Sequence, residues 1–297
     1  MRLKKILHFF KKPRQHYKSE LYKEQKVALL TKHSKEKVLA PILQKVLGCE
    51  IVHIDSYDTD QLGTFTREIA REGTQIEAAR KKAHIALELS NHNIALASEG
   101  SFGADPYSGL FGWNLECLIW ADALHSIEIV AMAEGKSNLA HAKVTSWQEC
   151  EVFAKKVGFC EHFLIVRAGK DSSQMRKGVS EWSELKEAYE WAKDISPDGS
   201  VFLETDMRAF ANPTRMSIIA KAAEVLAKKI NSFCPRCNAP GYSIKESLAG
   251  LRCRACGQKT ENFYADVYSC ELCEHTETKE RENLTAADPM YCGYCNP

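Results

Sequence analysis

Residues 74–100 read TQIEAARKKAHIALELSNHNIALASEG, and this stretch predicts the class of the fold. Thr74 is followed three residues later by Glu77, which is the spacing of a helix capping box, so we expect a helix to begin here. The apolar run 94–97 is short enough for a buried strand. Glu99 follows that run almost at once, between small residues that permit the close approach of a ligand. The stretch therefore predicts a helix that leads into a buried strand with a carboxylate at the strand's end.

The sequence on both sides of this stretch continues the alternation of strands and helices. We expect strands at 27–30, 51–54, 94–97, 115–121, 127–132, 162–166 and 201–203. We expect helices over about a dozen residues ending at Leu47 before a Gly48 cap, and over 74–89, 146–157, 183–194 and 214–230. Alternating strands and helices indicate an α/β fold. We predict a mixed sheet flanked by helices, followed by a small carboxyl-terminal zinc-ribbon module.

Composition excludes several classes of protein. The chain has 297 residues, enough for about two domains. Hydrophobic residues make up 44% and charged residues 27%, which is typical of globular proteins and excludes a fibrous or disordered chain. No apolar run approaches the roughly 18 residues of a membrane span, so we expect a soluble protein. The net charge of +1 gives no general attraction to nucleic acid or to an anionic membrane.

The charge is distributed unevenly between three segments. Residues 1–26 hold nine Lys or Arg and two acidic residues, and we interpret them as a basic arm on the surface. Contact of this arm with nucleic acid or anionic lipid is the alternative. Residues 27–231 form the predicted α/β domain, and residues 232–297 form the predicted zinc-ribbon module.

Eight of the twelve cysteines fall into four CxxC pairs. The pairs are Cys234 and Cys237, Cys253 and Cys256, Cys270 and Cys273, and Cys292 and Cys295. Two thiols on one tight turn can take two corners of a tetrahedron, and a second such turn supplies the other two. The spacing therefore predicts two structural zinc ions. We expect sequential pairing, with the first two pairs on one zinc and the last two on the other; a cross-brace arrangement, first pair with third, is the alternative.

The role expected of this module is structural, because a four-thiolate zinc has no open position for chemistry. Residues 231–297 hold seven basic and nine acidic residues, which is the wrong sign for strong phosphate binding. We therefore favour a protein partner or a scaffolding role over nucleic acid. Because no export signal is evident, we expect a reducing cytoplasmic location, where such thiols bind metal rather than form disulfides.

Three polar stretches, 31–37, 63–82 and 98–103, are predicted to be loops at strand ends. In an open α/β sheet, ligands bind where loops leave the carboxyl ends of the strands. The first stretch carries Thr31, His33 and Lys35, which suit a polyphosphate; a solvated turn that caps the next helix is the alternative. Glu77 alone is most simply an acid in the first turn of its helix, where it interacts with the helix dipole.

The motif 74–83 followed by 94–100 resembles the inosine triphosphate pyrophosphatase superfamily, which includes Maf-like proteins and phosphatases of non-standard purine nucleotides. Glu77, Lys82 and Ala83 keep the spacing of that superfamily's Glu-Asn-Ala-x-x-Lys-Ala helix, and Ala78 replaces its Asn. Residues 98–100, Ser-Glu-Gly, correspond to the acidic turn that follows.

Two further segments carry the resemblance. Residues 31–35 are similar to the superfamily's Thr-x-Asn-x-x-Lys phosphate loop, with His33 at the Asn position and Lys35 one residue early. Arg215, in Asn-Pro-Thr-Arg at 212–215, corresponds to the Arg of a Ser-His-Arg motif that recognises the base.

The chain as a whole resembles a bacterial family of unknown function that ends in a double zinc ribbon. The likeness covers most of residues 27–297 and lies in three motifs, 63–68, 97–103 and 212–216. It implies no established activity.

The pyrophosphatase resemblance implies a Mg²⁺-dependent hydrolase that releases pyrophosphate from a nucleoside triphosphate. On this reading Glu77 helps hold Mg²⁺, Glu99 is a second ligand or the base, and Lys82 binds phosphate oxygens. The substrate-binding residues implied are Thr31, His33, Lys35 and Arg215. The alternative is a non-enzymatic module that senses a nucleotide or joins an assembly through its zinc ribbons.

Overall fold

The structure is a computed structural model that describes residues 20–62 and 73–297. Most of the predicted basic arm and the 63–68 motif therefore lie outside the described residues. Five α-helices are described: α1 (Glu36–Leu47), α2 (Gln75–Ser90), α3 (Trp147–Lys156), α4 (Trp182–Ile195) and α5 (Pro213–Ile230). These match the five predicted helices to within a residue or two at each end. Gly48 adopts the left-handed conformation as the cap of α1, at φ 67°, as the sequence predicts.

Twelve strands accompany these helices. They are β1 (Lys26–Leu30), β2 (Glu50–Ile54), β3 (Ile94–Ala104), β4 (Gly112–Asp122), β5 (Ile127–Lys136), β6 (His141–Val144), β7 (Leu164–Arg167), β8 (Met175–Val179), β9 (Val201–Thr205), β10 (Ser243–Ala249), β11 (Phe263–Ser269) and β12 (Thr276–Glu280). All seven predicted strands of the α/β domain are present, and β3 continues well beyond its apolar start. The prediction of a mixed α/β protein with a cysteine-rich carboxyl-terminal module is confirmed.

The strands of the α/β part belong to two sheets, whereas the sequence predicts one. The first sheet has the order β2-β1-β3-β4-β5, with β1 parallel to β2 and β3, and β3 antiparallel to β4. The second has the order β6-β9-β7-β8 and is antiparallel throughout. The sequence missed β6 and β8 because both are short: β6 has four residues, too few for its alternation to stand out, and β8 (Met-Arg-Lys-Gly-Val) is apolar only at its two ends.

Helix α2 packs closely on the first sheet because its inner face is built from alanines. Ala83 and Ala86 contact buried residues of β1 and β3, and Ala79 contacts Cys117 and Ile119 of β4. Small side chains let the helix backbone approach the strands, so side chains at the helix edge can reach residues of β3. This packing positions the candidate site described below.

The second sheet has its own apolar core. Leu164 and Leu203, from the two central strands, pack against Leu185 and Tyr189 of α4. The described residues form two compact units, one containing Tyr22–Asp122 and Val130–Ala227, and the other Ala123–Ile129 and Lys228–Pro297. Both sheets of the α/β part therefore belong mainly to the first unit. Among the described residues, no helix combines the length and the apolar character needed to cross a membrane.

Candidate functional site

A cavity of about 410 Å³ is lined by residues of both α/β sheets and of the segments that follow their strands. The wall from the first sheet carries six polar side chains that matter below: Thr31, His33, Lys35, Lys82, Ser98 and Glu99. The opposite wall carries Lys177, Glu204, Asp206 and Arg208. Of the seven residues predicted for catalysis or substrate binding, five thus line one cavity, and Glu77 and Arg215 do not.

Lys82 and Glu99 form an ion pair on the cavity wall. Lys82 Nζ lies 2.5 Å from Glu99 Oε2, and their side chains are 11% and 10% exposed. The alanine face of α2 brings Lys82 to β3, and the side-chain amide of Gln75 fixes the register by donating to the carbonyls of Glu99 and Leu115 at 2.7 and 2.8 Å. The carboxylate of Glu99 is therefore held in a defined position beside a basic group.

Lys35 lies deep in the same wall and has no such carboxylate partner among the residues that the structure describes. It is 5% exposed, and its Nζ donates to the carbonyl and hydroxyl oxygens of Ser98 at 3.2 and 3.1 Å. Burial lowers the pKa of Lys35 to about 7, and the positive charges of Arg215 and Lys82 act in the same direction. The negative charges of Glu116 and Glu99 act in the opposite direction and offset these effects only in part, so a bound anion would stabilise the ammonium further.

His33 is uncharged at neutral pH. Burial and, to a smaller extent, the positive charges of Lys35 and Arg215 together lower its pKa to about 3. Its ring centroid lies 5.9 Å from that of Phe210, which belongs to the segment after β9. A ligand would therefore meet His33 as a neutral ring next to an aromatic residue.

The carboxylates of the opposite wall are also paired. Asp206 receives two hydrogen bonds of 3.0 Å from Nε of Arg208, and Glu204 lies 2.5 Å from Nε of Arg167. With Glu99 bound to Lys82, each of the three carboxylates that the described residues contribute to the lining has a basic partner. Of the described residues, the groups of three or more side chains that could jointly hold a metal ion are all cysteines. The cavity is thus better suited to an anion than to a bare cation.

Glu77 caps its helix and does not face the cavity. The amide of Thr74 donates to Glu77 Oε2 at 2.7 Å, and the amide of Glu77 donates to Thr74 Oγ1 at 3.2 Å. This hydrogen bond from Thr74 holds the pKa of Glu77 below its usual value, although the side chain is exposed. The capping-box interpretation of the sequence is therefore confirmed, and the structure does not bring Glu77 together with Glu99.

Arg215 is fully buried, not presented to a ligand. Its Nε donates to Glu116 Oε1 at 2.8 Å and its Nη1 donates to the carbonyl of Met207 at 2.6 Å. Burial opposes ionisation of Glu116, but Arg215 and then Lys35 hold the pKa of that carboxyl below its usual value. Gly100 is required beside this pair, because a Cβ at this position would lie 2.5 Å from Glu116 Oε1.

Sequence reasoning missed Glu116, although a signal was present. Glu116 is the single charged residue between Leu115 and Ala121, in a strand whose neighbouring residues are apolar. A charge in the middle of a buried strand is rare unless it is paired. The sequence could have identified a buried carboxylate here, but not its partner 99 positions away.

The eight carboxyl-terminal cysteines form two groups of four. One group holds Cys234, Cys237, Cys270 and Cys273, and the other holds Cys253, Cys256, Cys292 and Cys295. In the first group the Sγ atoms of Cys234 and Cys273 are 3.6 Å apart, and those of Cys237 and Cys270 are also 3.6 Å apart. A tetrahedral zinc with Zn–S bonds of about 2.3 Å separates its sulfurs by about 3.8 Å. Both groups therefore fit a four-thiolate zinc.

Sequential pairing of the CxxC turns was the wrong prediction, and the cross-brace alternative holds. Strand β10 runs antiparallel to β11, and β11 antiparallel to β12. The turn before β10 and the turn after β11 consequently lie at the same end of this sheet. The second turn, Cys253–Cys256, follows β10 and so lies at the other end, some 20 Å away along a seven-residue strand. Antiparallel topology thus forces the first pair to meet the third.

The backbone shapes the first two CxxC turns, Cys234–Cys237 and Cys253–Cys256. In the first, the amide of Cys234 donates to the carbonyl of Ala239, the amide of Arg236 approaches Cys234 Sγ at 3.4 Å, and Asn238 adopts φ 57°. In the second, Gly257 takes the equivalent left-handed position at φ 72°. A residue that tolerates positive φ after the second cysteine lets the turn close around its thiols.

Comparisons with known proteins place the chain in a family. No curated protein and no solved structure matches it. The model of a domain of unknown function, DUF6671, matches residues 82–297, which is more than two thirds of the sequence, and the chain therefore belongs to this family.

Proposed function

We propose that the chain binds a nucleoside triphosphate in the cavity and hydrolyses it, with Mg²⁺, to the monophosphate and pyrophosphate. The observation that carries this proposal is the meeting of Lys35, Lys82 and Glu99 on one wall, although they come from a loop, a helix and a strand. The distant resemblance to the pyrophosphatase superfamily supports the same reading. The family match includes Lys82 and Glu99 but begins after the loop that carries Lys35.

Binding of the phosphates follows from the charges of the wall. Lys35 is buried and hydrogen-bonded to neutral oxygens of Ser98, so phosphate oxygens would give it a negatively charged hydrogen-bond acceptor. Charge-assisted hydrogen bonds of this kind are about twice as strong as neutral ones. Lys82 would provide a second cation, and the hydroxyl of Thr31 lines the same wall. These groups would hold the negatively charged end of a nucleotide.

Hydrolysis would depend on Glu99. Magnesium in nucleotide sites is commonly held by one or two carboxylates together with the substrate's phosphates, and Glu99 could supply one of them from the cavity wall. Bound Mg²⁺ would neutralise charge on the phosphates. A phosphate that competes for Lys82 would leave the Glu99 carboxylate available to orient water or to accept its proton.

Nucleotide binding without hydrolysis is the second candidate. It is favoured by Glu77, which caps α2 outside the cavity and so does not supply the second carboxylate that the resemblance implies. The remaining carboxylates of the cavity, Glu204 and Asp206, are engaged by arginines. A module that only binds a nucleotide would need the cations of the wall, but it would need no carboxylate that orients a water molecule or accepts its proton.

For the carboxyl-terminal module we propose two structural zinc ions and a scaffolding or partner-binding role. Four thiolates complete the coordination of each ion, so no position is left for a substrate. Thiolates that bind zinc are compatible with a reducing compartment, and we propose a cytoplasmic location on that ground.

A direct test separates the two candidates for the cavity. The purified full chain is incubated with a panel of standard and modified nucleoside triphosphates, with Mg²⁺ or with EDTA, and pyrophosphate release is measured. Binding of the same nucleotides is measured independently by calorimetry in EDTA. Pyrophosphate release only with Mg²⁺ supports the hydrolase, binding without release supports the sensor, and the absence of both refutes each of them.

A further inference from the structure

Lys35 has surroundings that a simple phosphate-binding lysine does not need. It is 5% exposed and lines the cavity, and among the residues that the structure describes its Nζ has hydrogen-bonding partners in the carbonyl and hydroxyl oxygens of Ser98. By contrast, Lys82 in the same wall is neutralised by Glu99. The two lysines therefore differ in the charge of their hydrogen-bonding partners, although both line the cavity.

Charged and titratable groups surround Lys35 on every element packed near it. His33 lies on its own loop, Lys82 on α2, Glu99 on β3, Glu116 on β4 and Arg215 on α5. The two carboxylates are each bound to another base, Glu99 to Lys82 and Glu116 to Arg215. His33 is neutral. Burial, which has the largest effect, and the two neighbouring cations outweigh the two carboxylates, which act in the opposite direction, so the pKa of Lys35 is lowered to about 7 and the uncharged amine is favoured.

An uncharged buried amine is a nucleophile. Lysines that are desolvated or placed beside another cation are the ones that form Schiff bases with carbonyl compounds. Both conditions apply to Lys35, whereas the ammonium of Lys82 is held by a carboxylate. The hydroxyl of Ser98, 3.1 Å from Nζ, keeps the amine in place and can exchange a proton with it.

We propose that Lys35 is a nucleophilic amine that forms an imine with the carbonyl group of a small aldehyde or ketone bearing an anionic group. This activity goes beyond the proposed hydrolysis, although it uses the same cavity. The volume of about 410 Å³ is within the range of small-molecule sites. The anionic group follows from the balance of charge: Glu99, Glu204 and Asp206 are each paired with a base, and Lys177 adds a further positive charge to the lining.

The reaction needs no oxidant or reductant. The lone pair of the neutral Nζ forms a bond to the carbonyl carbon, and the carbonyl oxygen takes up the proton that the nitrogen loses. The resulting carbinolamine then loses its hydroxyl group together with the remaining proton of the nitrogen as one water molecule, and a carbon–nitrogen double bond remains. Amine and carbonyl compound thus give imine and one water. Ser98 is placed to carry the proton from nitrogen at the first step.

The experiment uses pyridoxal 5′-phosphate, an aldehyde that carries a phosphate group, as the probe. Sodium cyanoborohydride reduces the imine and so traps it. The intact chain is labelled at low reagent excess, and each lysine's modification is followed by peptide mass spectrometry. At pH 7 a lysine with a pKa near 7 is about half neutral, whereas an ordinary lysine is neutral to well under 1%. We expect Lys35 to be labelled at least about tenfold faster than Lys82 or the exposed Lys143, with a rate that rises through pH 7.

Three controls make the result decisive. Pyridoxal without phosphate should label Lys35 more slowly, and equal rates would refute the anionic ligand. Lys35→Arg keeps the charge but should remove the fast adduct, and circular dichroism checks that the variant folds.

A nucleoside triphosphate added without metal should slow the labelling if it occupies the cavity. Persistent labelling would count against nucleotide binding but not against the nucleophilic amine. Labelling of Lys35 no faster than of Lys143 in the folded wild-type chain would overturn the proposal.

Discussion

Arg215 and Glu116 form an ion pair with Nε and Oε1 2.8 Å apart, and neither side chain has any exposed surface. The pair connects α5 to β4 across 99 positions of sequence. Because Arg215 also donates to the carbonyl of Met207, beyond the end of β9, a single guanidinium joins segments that belong to both sheets of the α/β part. Arg215 thus has a structural task that fully occupies two of its three nitrogens.

This pair predicts a large effect on stability. Arg215→Met would leave Glu116 buried without its partner, and the loss of one member of a buried pair costs about 3–5 kcal/mol. We expect a fall of that size in the free energy of unfolding, measured by chemical denaturation. The double variant Arg215→Met/Glu116→Met should recover most of the loss, because two apolar side chains replace both charges.

An exposed pair provides the matched control. Lys143 and Asp198 are 2.8 Å apart, with side chains 59% and 58% exposed. Lys143→Met should leave the unfolding midpoint almost unchanged, because solvent screens the pair. If Arg215→Met were as stable as Lys143→Met, the assignment of a structural task to Arg215 would be wrong.

The cross-brace arrangement predicts which cysteine variants lose one zinc and which lose two. Cys237→Ser combined with Cys270→Ser removes two thiolates from the same group, so about one zinc per chain should remain. Cys237→Ser combined with Cys253→Ser damages both groups and should leave almost none. Sequential pairing would give the reverse result. Metal analysis of the two purified double variants in reducing buffer, beside the wild type with about two zinc ions, decides between the arrangements.

Local signals in the sequence were sufficient for the five helices and for seven of the nine strands of the α/β part. The Thr74–Glu77 capping box and Gly48 at the end of α1 depend on residues a few positions apart, and both are present as predicted. Thr31 follows β1, and the neighbouring strand β3 carries Glu99, so both line one cavity; Glu99 nevertheless lies within β3 and not at its end, because residues 98–103, predicted to be a loop, belong to the strand. These predictions succeed because the interactions are short in sequence or follow from strand adjacency.

Interactions between distant segments could not be predicted in the same way. The partner of Arg215 lies in another element, and nothing local to Arg215 distinguishes a buried arginine from one that binds substrate. The pairing of the cysteine turns likewise depends on the direction of the strands between them, which spacing does not specify. Glu77 shows a third cause of failure, since the same residue satisfies both a capping pattern and a resemblance to a catalytic motif.

Glu77 and Glu99 therefore predict opposite results when their charges are removed. Glu99→Gln keeps the shape of the side chain and should lower nucleoside triphosphate turnover by on the order of a hundredfold if Glu99 is the base. Glu77→Gln should leave turnover unchanged, because its carboxylate contacts Thr74 outside the cavity. Both variants are assayed for pyrophosphate release at saturating Mg²⁺ and nucleotide. Equal losses in the two variants would mean that the cap interpretation does not account for Glu77.

Lys35 makes the affinity for a phosphate ligand dependent on pH. In the free protein its pKa is lowered to about 7, chiefly by burial, and a bound polyanion would raise it towards the ordinary value near 10. Above pH 7 the amine must therefore take up a proton when the ligand binds. By linkage, affinity is greatest below pH 7 and decreases by up to about tenfold for each unit above it.

The prediction is tested with inorganic tripolyphosphate, whose affinity is measured by calorimetry between pH 6 and pH 9. The wild type should bind about a hundredfold more weakly at pH 9 than at pH 6, after correction for the titration of the ligand. Lys35→Arg is the matched control, because a guanidinium stays charged over this range and its affinity should then follow only the ligand's own titration. The sign is fixed by the direction of the shift: a lysine with a lowered pKa loses its charge as the pH rises, so the attraction weakens. An affinity that is equally pH-dependent in both proteins would show that Lys35 does not contact the phosphate.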